Sequence, residues 1–371
     1  MKNTQKYIAA AAAFGVAATL VATVPTAANA EAVADGYVVV GSDTLQDVLK
    51  GLANGTSVTG ANVRVSGQGT PLTSFDAIGT VNLQAKPYGN TFGRPNGSGD
   101  GRKALSRSID GAPFDSATPG DIGPVVITGQ VDIARSSSAG TSNANGTLLQ
   151  IPFGRDGLSY AHNSTNPAFD HITAADLKGI FEGTITTIGG EPVRPEIPQA
   201  GSGTRSDFIS KIGSTEAAIA AQVTAGVVKT GQEHDTTALQ GGAPMPANSI
   251  TPMSAAQWVA QNTGAGTDRR GAGFKIGSPI AGVSPVTGSG ASMVPNSAFY
   301  TNGTWGRDTY IVVEAARVTV GESNYDAKLA SLVGSAQLAN RGTLPASAGA
   351  VKVKYGFLPA TATTPNPITA S

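Results

Sequence analysis

The stretch Gly201-Ser202-Gly203-Thr204-Arg205-Ser206-Asp207-Phe208 carries the densest chemistry in the chain. Gly-Ser-Gly-Thr lets the backbone turn tightly and aim several N–H groups one way. A helical pattern follows at Phe208, Ile209 and Ile212, so Thr204 or Ser206 is expected to cap a helix. A helix N-terminus with free N–H donors, hydroxyls and an arginine is suited to an anion. A flexible Gly/Ser loop with an ordinary cap would read the same way.

Other loops of the same style tip the balance. Tyr37 to Val40 reads as a buried strand, followed by Gly41-Ser42-Asp43-Thr44 and then Leu45, Val48, Leu49 and Leu52 at helical spacing. Ser42, Asp43 or Thr44 would be the N-cap, and capping alone would account for them. Pro95-Asn96-Gly97-Ser98-Gly99-Asp100-Gly101 is a tight glycine loop before a helix start at Arg102, Ala104, Leu105 and Ile109. Arg102 and Lys103 read as its solvated face. Gln130 to Ala134 reads as a strand running into Arg135-Ser136-Ser137-Ser138.

These loops need elements to position them, and 371 residues are enough for two domains. Lys2 and Lys6 precede an Ala-rich apolar run from Tyr7 to Val24, and Ala28-Asn29-Ala30 offers an A-x-A cleavage site. Residues 1–30 therefore read as a secretory signal peptide, with the mature chain starting near Glu31. Past it the chain carries 23 basic and 25 acidic residues, which argues against a nucleic-acid partner. An anion would be held by a local site and not by a global field. With no cysteine there is no disulfide, thiol chemistry or lipoprotein anchor. His162, His171 and His234 lack metal-ligand spacing. No cofactor or metal is expected.

Further along, Gly154-Arg155-Asp156-Gly157 reads as a turn between an apolar run from Leu148 and a strand at Leu158 to Ala161. Two domains could join there, with Arg155 and Asp156 at a hinge or in a local ion pair. Ile172 to Phe181 is a helix capped by Thr173. Helices are expected at Glu216–Val223, at Ala255–Gln261 behind Ser254, and at Tyr325–Val333. Ala298 to Tyr300 and Thr309 to Glu314 look like strands, and Val351 to Leu358 like a last strand or ordered tail. Strands alternating with helices imply an α/β fold with mostly parallel sheets, whose ligands sit at strand C-termini and helix N-termini.

The order of these segments resembles the phosphate-binding proteins of bacterial ABC transporters. The resemblance spans roughly residues 36–360 and rests chiefly on Leu177-Lys178-Gly179-Ile180-Phe181-Glu182-Gly183 and on Gly201 to Phe208; the tail Tyr355-Gly356-Phe357-Leu358-Pro359 also fits. It implies a two-lobed, hinged α/β fold of the periplasmic binding protein type (type II) that closes on an oxyanion. It implies lobes over 31–157 and 158–297, with 298–371 returning to the first lobe and ending in a loose tail. By the same resemblance Thr44 and the backbone at Leu45, Ser98, Ser202, Gly203 and Thr204 would face the anion.

Two positions depart from that family. Ser136-Ser137 stands where it carries a serine followed by an aspartate that accepts the phosphate proton, so Ser137 takes that place. Pro198 stands where it has an arginine, with Ala200 where a supporting aspartate would be, leaving Arg135 and Arg205 as replacements able to pair bidentately with an oxyanion. The expected function is an exported, monomeric binder of phosphate or a sulfate-like oxyanion, periplasmic or secreted, with an ABC permease as candidate partner. The competing expectations are an exported phosphatase-like enzyme and a cell-surface protein that keeps the fold without binding.

Overall fold

A computed structural model describes residues 33–371. The signal-peptide assignment over residues 1–30 lies outside the described residues. The first strand, β1 (Tyr37–Gly41), is buried along its whole length, as its β-branched run requires. One 3-10 turn (Asp43–Leu45) leads into α1 (Gln46–Asn54), whose Val48, Leu49 and Leu52 face the core. The strands that follow are β2 (Ser66–Gly67) and β3 (Thr70–Ser74). Next come α2 (Ser98–Asp110), β4 (Ile133–Ser136) and the long β5 (Leu148–His162).

After α3 (Ala174–Phe181), capped by Thr173 as expected, come β6 (Arg194–Pro198), α4 (Gly203–Lys211) and α5 (Glu216–Thr224). Then follow β7 (Lys229–Gly231), β8 (Ser249–Ser254) and α6 (Ala255–Thr263), capped by Ser254. The last elements are β9 (Gly306–Glu314), α7 (Ala327–Val333) and α8 (Ala348–Lys354).

The main sheet runs β7-β6-β8-β5-β9-β4-β1-β3-β2. Three apolar cores build two lobes. One draws on residues 37–65, 72, 133, 151–153 and the C-terminal helices, and another packs on the opposite sheet face around Val38, Val40, Phe92, Phe114 and Val312. The third gathers Leu158 to Trp305, including Phe181, Phe208, Ile250 and Trp258. β5 serves both lobes: Ile151 and Phe153 enter one core, Leu158 and Tyr160 another.

Several expectations change. Gly154 to Gly157 is not a turn: those residues continue β5 past a register shift between Pro152 and Gly154, paired with β9. A bulge bends a strand without ending it. The sheet is mixed, because β9 lies antiparallel to both β4 and β5, and β5 antiparallel to β8. Ala298 to Tyr300 forms a one-turn helix behind an Asn296 cap, and Val351 falls inside α8. In both places the apolar residues are spaced for a helix and local capping decided.

Candidate functional site

The four loops meet. Thr44 lies in the turn before α1, Ser98 opens α2, Ser137 follows β4, and Thr204 lies in the first turn of α4; all four are fully buried. Thr44 Oγ1 and Thr204 Oγ1 stand 3.4 Å apart across the lobes. Ser98 Oγ and Ser137 Oγ are 3.1 Å apart, and the Ser137 N–H donates to Ser98 Oγ at 2.9 Å. Gly203 closes the group: a Cβ there would lie 2.3 Å from Ser98 Oγ and 2.7 Å from Ser137 Oγ. The Gly99 N–H donates to the Gly201 carbonyl at 3.0 Å, so the α2 and α4 N-termini touch.

Capping explains why Thr204 is available. Ser202, not Thr204 or Ser206, caps α4, its hydroxyl accepting from the Arg205 N–H at 3.0 Å. The Ser206 hydroxyl donates back to the Gly203 carbonyl. At the first loop Ser42 holds the N-cap place without a side-chain cap bond, and its buried Oγ has no hydrogen-bond partner. Leu45 sends its side chain into the core.

Neither expected arginine faces the hydroxyls. Arg135 is fully buried and donates to the carbonyls of Ser42 and Gly41 and to Ser74 Oγ, so it braces the first loop from behind. Arg205 pairs with Glu216 and donates to the Pro198 carbonyl. Arg102 is no solvated residue either, since it donates to Ser136 Oγ at 2.6 Å. Adjacency in sequence placed Arg135 and Arg205 near the loops, but their side chains bond elsewhere.

The cation at the centre is Arg307, at the start of β9. Its Nη2 donates to Thr204 Oγ1 at 2.9 Å and reaches Thr44 Oγ1 at 3.4 Å. Asp156, its register partner on β5, fixes it through Nε at 3.0 Å and Nη2 at 2.9 Å. Asp156 is held in turn by the Ser254 hydroxyl and the Ala256 N–H at the α6 N-terminus. Asp207 lies 3.3 Å from Nη1. Burial alone would lower the Arg307 pKa, but Asp156, Asp207 and Glu233 more than offset it and keep the guanidinium charged.

Sequence reasoning also missed Glu233 and His234. Glu233 is fully buried, and its Oε1 accepts from the Thr44 hydroxyl at 3.1 Å. His234 adopts φ +59°, which few non-glycine residues do outside special sites. Its Nδ1 lies 3.4 Å from the Ser254 backbone nitrogen. Nε2 is 2.9 Å from Thr44 Oγ1 and 3.1 Å from Glu233 Oε1. Burial pushes the Glu233 carboxyl up, but the hydrogen bond and charge of His234 hold it below the usual carboxylate range, helped by the Ser202 and Thr204 hydroxyls nearby. Its Oε2 has no hydrogen-bond partner in the structure. The adjacent Asp43 is pushed well up, by burial first and then by Glu233.

An amide network ties the lobes together around this cluster. Gln232 Nε2 donates to Asp43 at 2.7 Å, Asn96 donates to Gln232 at 2.9 Å, and Gln199 donates to Asn96 at 2.6 Å. The Glu233 N–H donates to Gln199 at 2.8 Å. Among the described residues no group of His, Cys, Asp and Glu could hold a metal ion, and no helix is long and apolar enough to cross a membrane.

The sequence profile described as a PBP superfamily domain matches residues 26–265. The crystal structure of an ABC-type phosphate transport receptor from Vibrio cholerae is similar at 16% identity and a TM-score of 0.50, covering 87% of this chain and 99% of the other. A crystal structure from Clostridium perfringens, of a protein proposed to be a phosphate ABC transporter substrate-binding protein and holding phosphate, is similar at 13% identity and a TM-score of 0.51, covering 88% and 100%. At such identities the likeness is one of fold. No curated protein matches. With the profile spanning well over half its length and a two-lobed fold to match, the chain belongs to the PBP superfamily.

Proposed function

We propose that the protein is an exported solute-binding protein that captures an inorganic oxyanion, phosphate first, between its lobes for ABC-type uptake. One observation carries the reading: hydroxyls from both lobes and one buried guanidinium converge at the starts of α1, α2 and α4. Hydroxyls, N–H groups and a guanidinium are what a tetrahedral oxyanion needs, and helix starts supply them without strain. The ligand set is Thr44, Ser98, Ser137, Gly203, Thr204 and Arg307, with Leu45 and Ser202 as backbone and cap; Arg135 and Arg205 act behind it. The phosphate-binding structural relatives support the same ligand class.

The Lys2-to-Ala30 leader supports export and the lack of cysteine fits an unlipidated product. We place the lobe boundary at 157/158 inside β5. The return to the first lobe comes at about Gly306, because Phe299, Tyr300 and Trp305 pack in the third core, that of Leu158 and Phe208. Calorimetric titration of the mature protein, stripped of anion by unfolding and refolding, tests the reading. Saturable one-to-one binding of phosphate at pH 7 supports it; heat from neither phosphate nor sulfate refutes it. Phosphate release from a monoester would instead favour an enzyme, although His162 and His171 lie away from the cluster, at Asp170 and Ser278.

A further inference from the structure

A cavity of about 280 Å³ opens between the lobes beside the hydroxyl cluster. One wall comes from residues between 77 and 119, the other from residues between 199 and 240. The amide network of Asn96, Gln199 and Gln232 lines it. The same three amides also bond toward the cluster: Gln232 donates to Asp43, and the Glu233 N–H donates to Gln199. The network therefore stands between cavity and cluster. The chain alternates between the two as well. Asn96 lies two residues before Ser98, Ala200 two before Ser202, and Gln232 directly before Glu233.

A free tetrahedral anion is satisfied by the cluster alone and has no use for this space. The volume lies just under the range of small-molecule pockets, about 300–1,000 Å³. The lining says what would fill it. Arg94 is buried and its guanidinium already donates to the Asp76 and Thr80 carbonyls. Asp235 already accepts from the Thr237 N–H and hydroxyl. The wall thus holds one charge of each sign, both engaged, and suits a neutral group. Among the described residues no aromatic side chain lines the cavity, so nothing there would stack on a base or ring. Thr118 and Gln240 add hydrogen-bonding groups to the amides, while Ile78 and Leu239 add apolar surface. That mixture fits a short chain or ring of carbons bearing hydroxyls.

We propose that the ligand is a phosphomonoester of a small polyol or sugar, with its phosphate in the hydroxyl cluster and its neutral, hydroxyl-bearing part in this cavity. The inference rests on the oxyanion reading above and narrows its ligand. A monoester keeps three terminal oxygens for the hydroxyls and Arg307, and directs the fourth outward. The amides are suited to that passage. Asn96 donates to Gln232, and both Gln199 and Gln232 donate to Asn96. A ligand hydroxyl both donates and accepts, so it can replace one of these bonds without stranding a buried group. Ala200, next to Gly201 of the fourth loop, puts only a methyl group on this side of the cluster.

The experiment is calorimetric titration of the mature, anion-stripped protein at pH 7 with inorganic phosphate, glycerol 3-phosphate, ribose 5-phosphate and glycerol. The expected result is that at least one of the two esters binds one-to-one about tenfold tighter than phosphate, is recovered uncleaved, and that glycerol alone gives no heat. Ala238→Trp fills the cavity from its wall, and the ratio of ester to phosphate affinity is expected to drop to about one or below. Thr237→Phe, at an exposed lining position, repeats the test if the melt of Ala238→Trp departs from the wild type. Thr204→Val is expected to weaken ester and phosphate alike, because both share the anchor. Phosphate bound with both esters weaker or excluded overturns the inference and leaves the oxyanion reading standing. An ester preference that survives the filling variants overturns the placement in this cavity. Glycerol that binds by itself makes the cavity a separate site and overturns the inference too. Failure of phosphate and both esters to bind overturns both readings.

Discussion

Thr204 and Arg307 illustrate how single groups carry the account at the residue scale. Thr204 Oγ1 is fully buried and serves no cap, so its hydroxyl is free to bond across the lobes. Thr204→Val keeps the shape and removes the donor; it is expected to weaken phosphate binding by about 1–3 kcal/mol, the cost of an unmatched buried polar partner, with little loss of melting temperature. Arg307→Met is expected to do more, since it also strands Asp156. Leaving a buried charge unpaired costs about 3–5 kcal/mol, so the variant should lose both binding and stability in a denaturant melt. Adding Asp156→Asn to it should recover stability without recovering binding.

At the scale of elements, the contact of α2 with α4 is the most exposed to test. Gly203 has no room for a side chain, with two serine hydroxyls within 2.7 Å of where a Cβ would sit. Gly203→Ala is therefore expected to push the hydroxyl loops apart and weaken phosphate at least tenfold by calorimetry. Its own helix should remain intact, since alanine is the better helix former. The loops themselves were legible in the sequence, because strand, glycine-hydroxyl turn and helix is a local pattern. So were the α3 and α6 caps, Thr173 and Ser254. Arg307 was not: Gly306-Arg307-Asp308-Thr309 is an ordinary strand start, and only the β5–β9 pairing brings it to Thr44. Arg135 and Arg205 were favoured for closeness along the chain, a poor guide where the backbone reverses direction within two residues. Glu233-His234 left one faint sign, a Glu-His pair in an otherwise polar coil, and nothing in its spacing marks it as central.

The whole molecule adds a stability cost remote from the ligand set. Glu196 on β6 is buried, and burial raises its pKa from 4.5 to about 7, against a smaller opposing effect of the Ser249 hydroxyl. Between those values the folded protein binds more protons than the unfolded chain, so stability falls as pH rises through that window. Glu196→Gln is expected to raise the melting temperature at pH 8 and to leave it nearly unchanged below pH 4.5. β5 runs through both lobes, and the hydroxyls of Thr44 and Thr204 meet beside it. A crystal structure of the mature protein grown with phosphate tests that convergence most directly. The account predicts one anion between the lobes, bonded to Thr44, Ser98, Thr204 and Arg307. An anion seated elsewhere, or lobes that close with phosphate excluded from those four side chains, would contradict it.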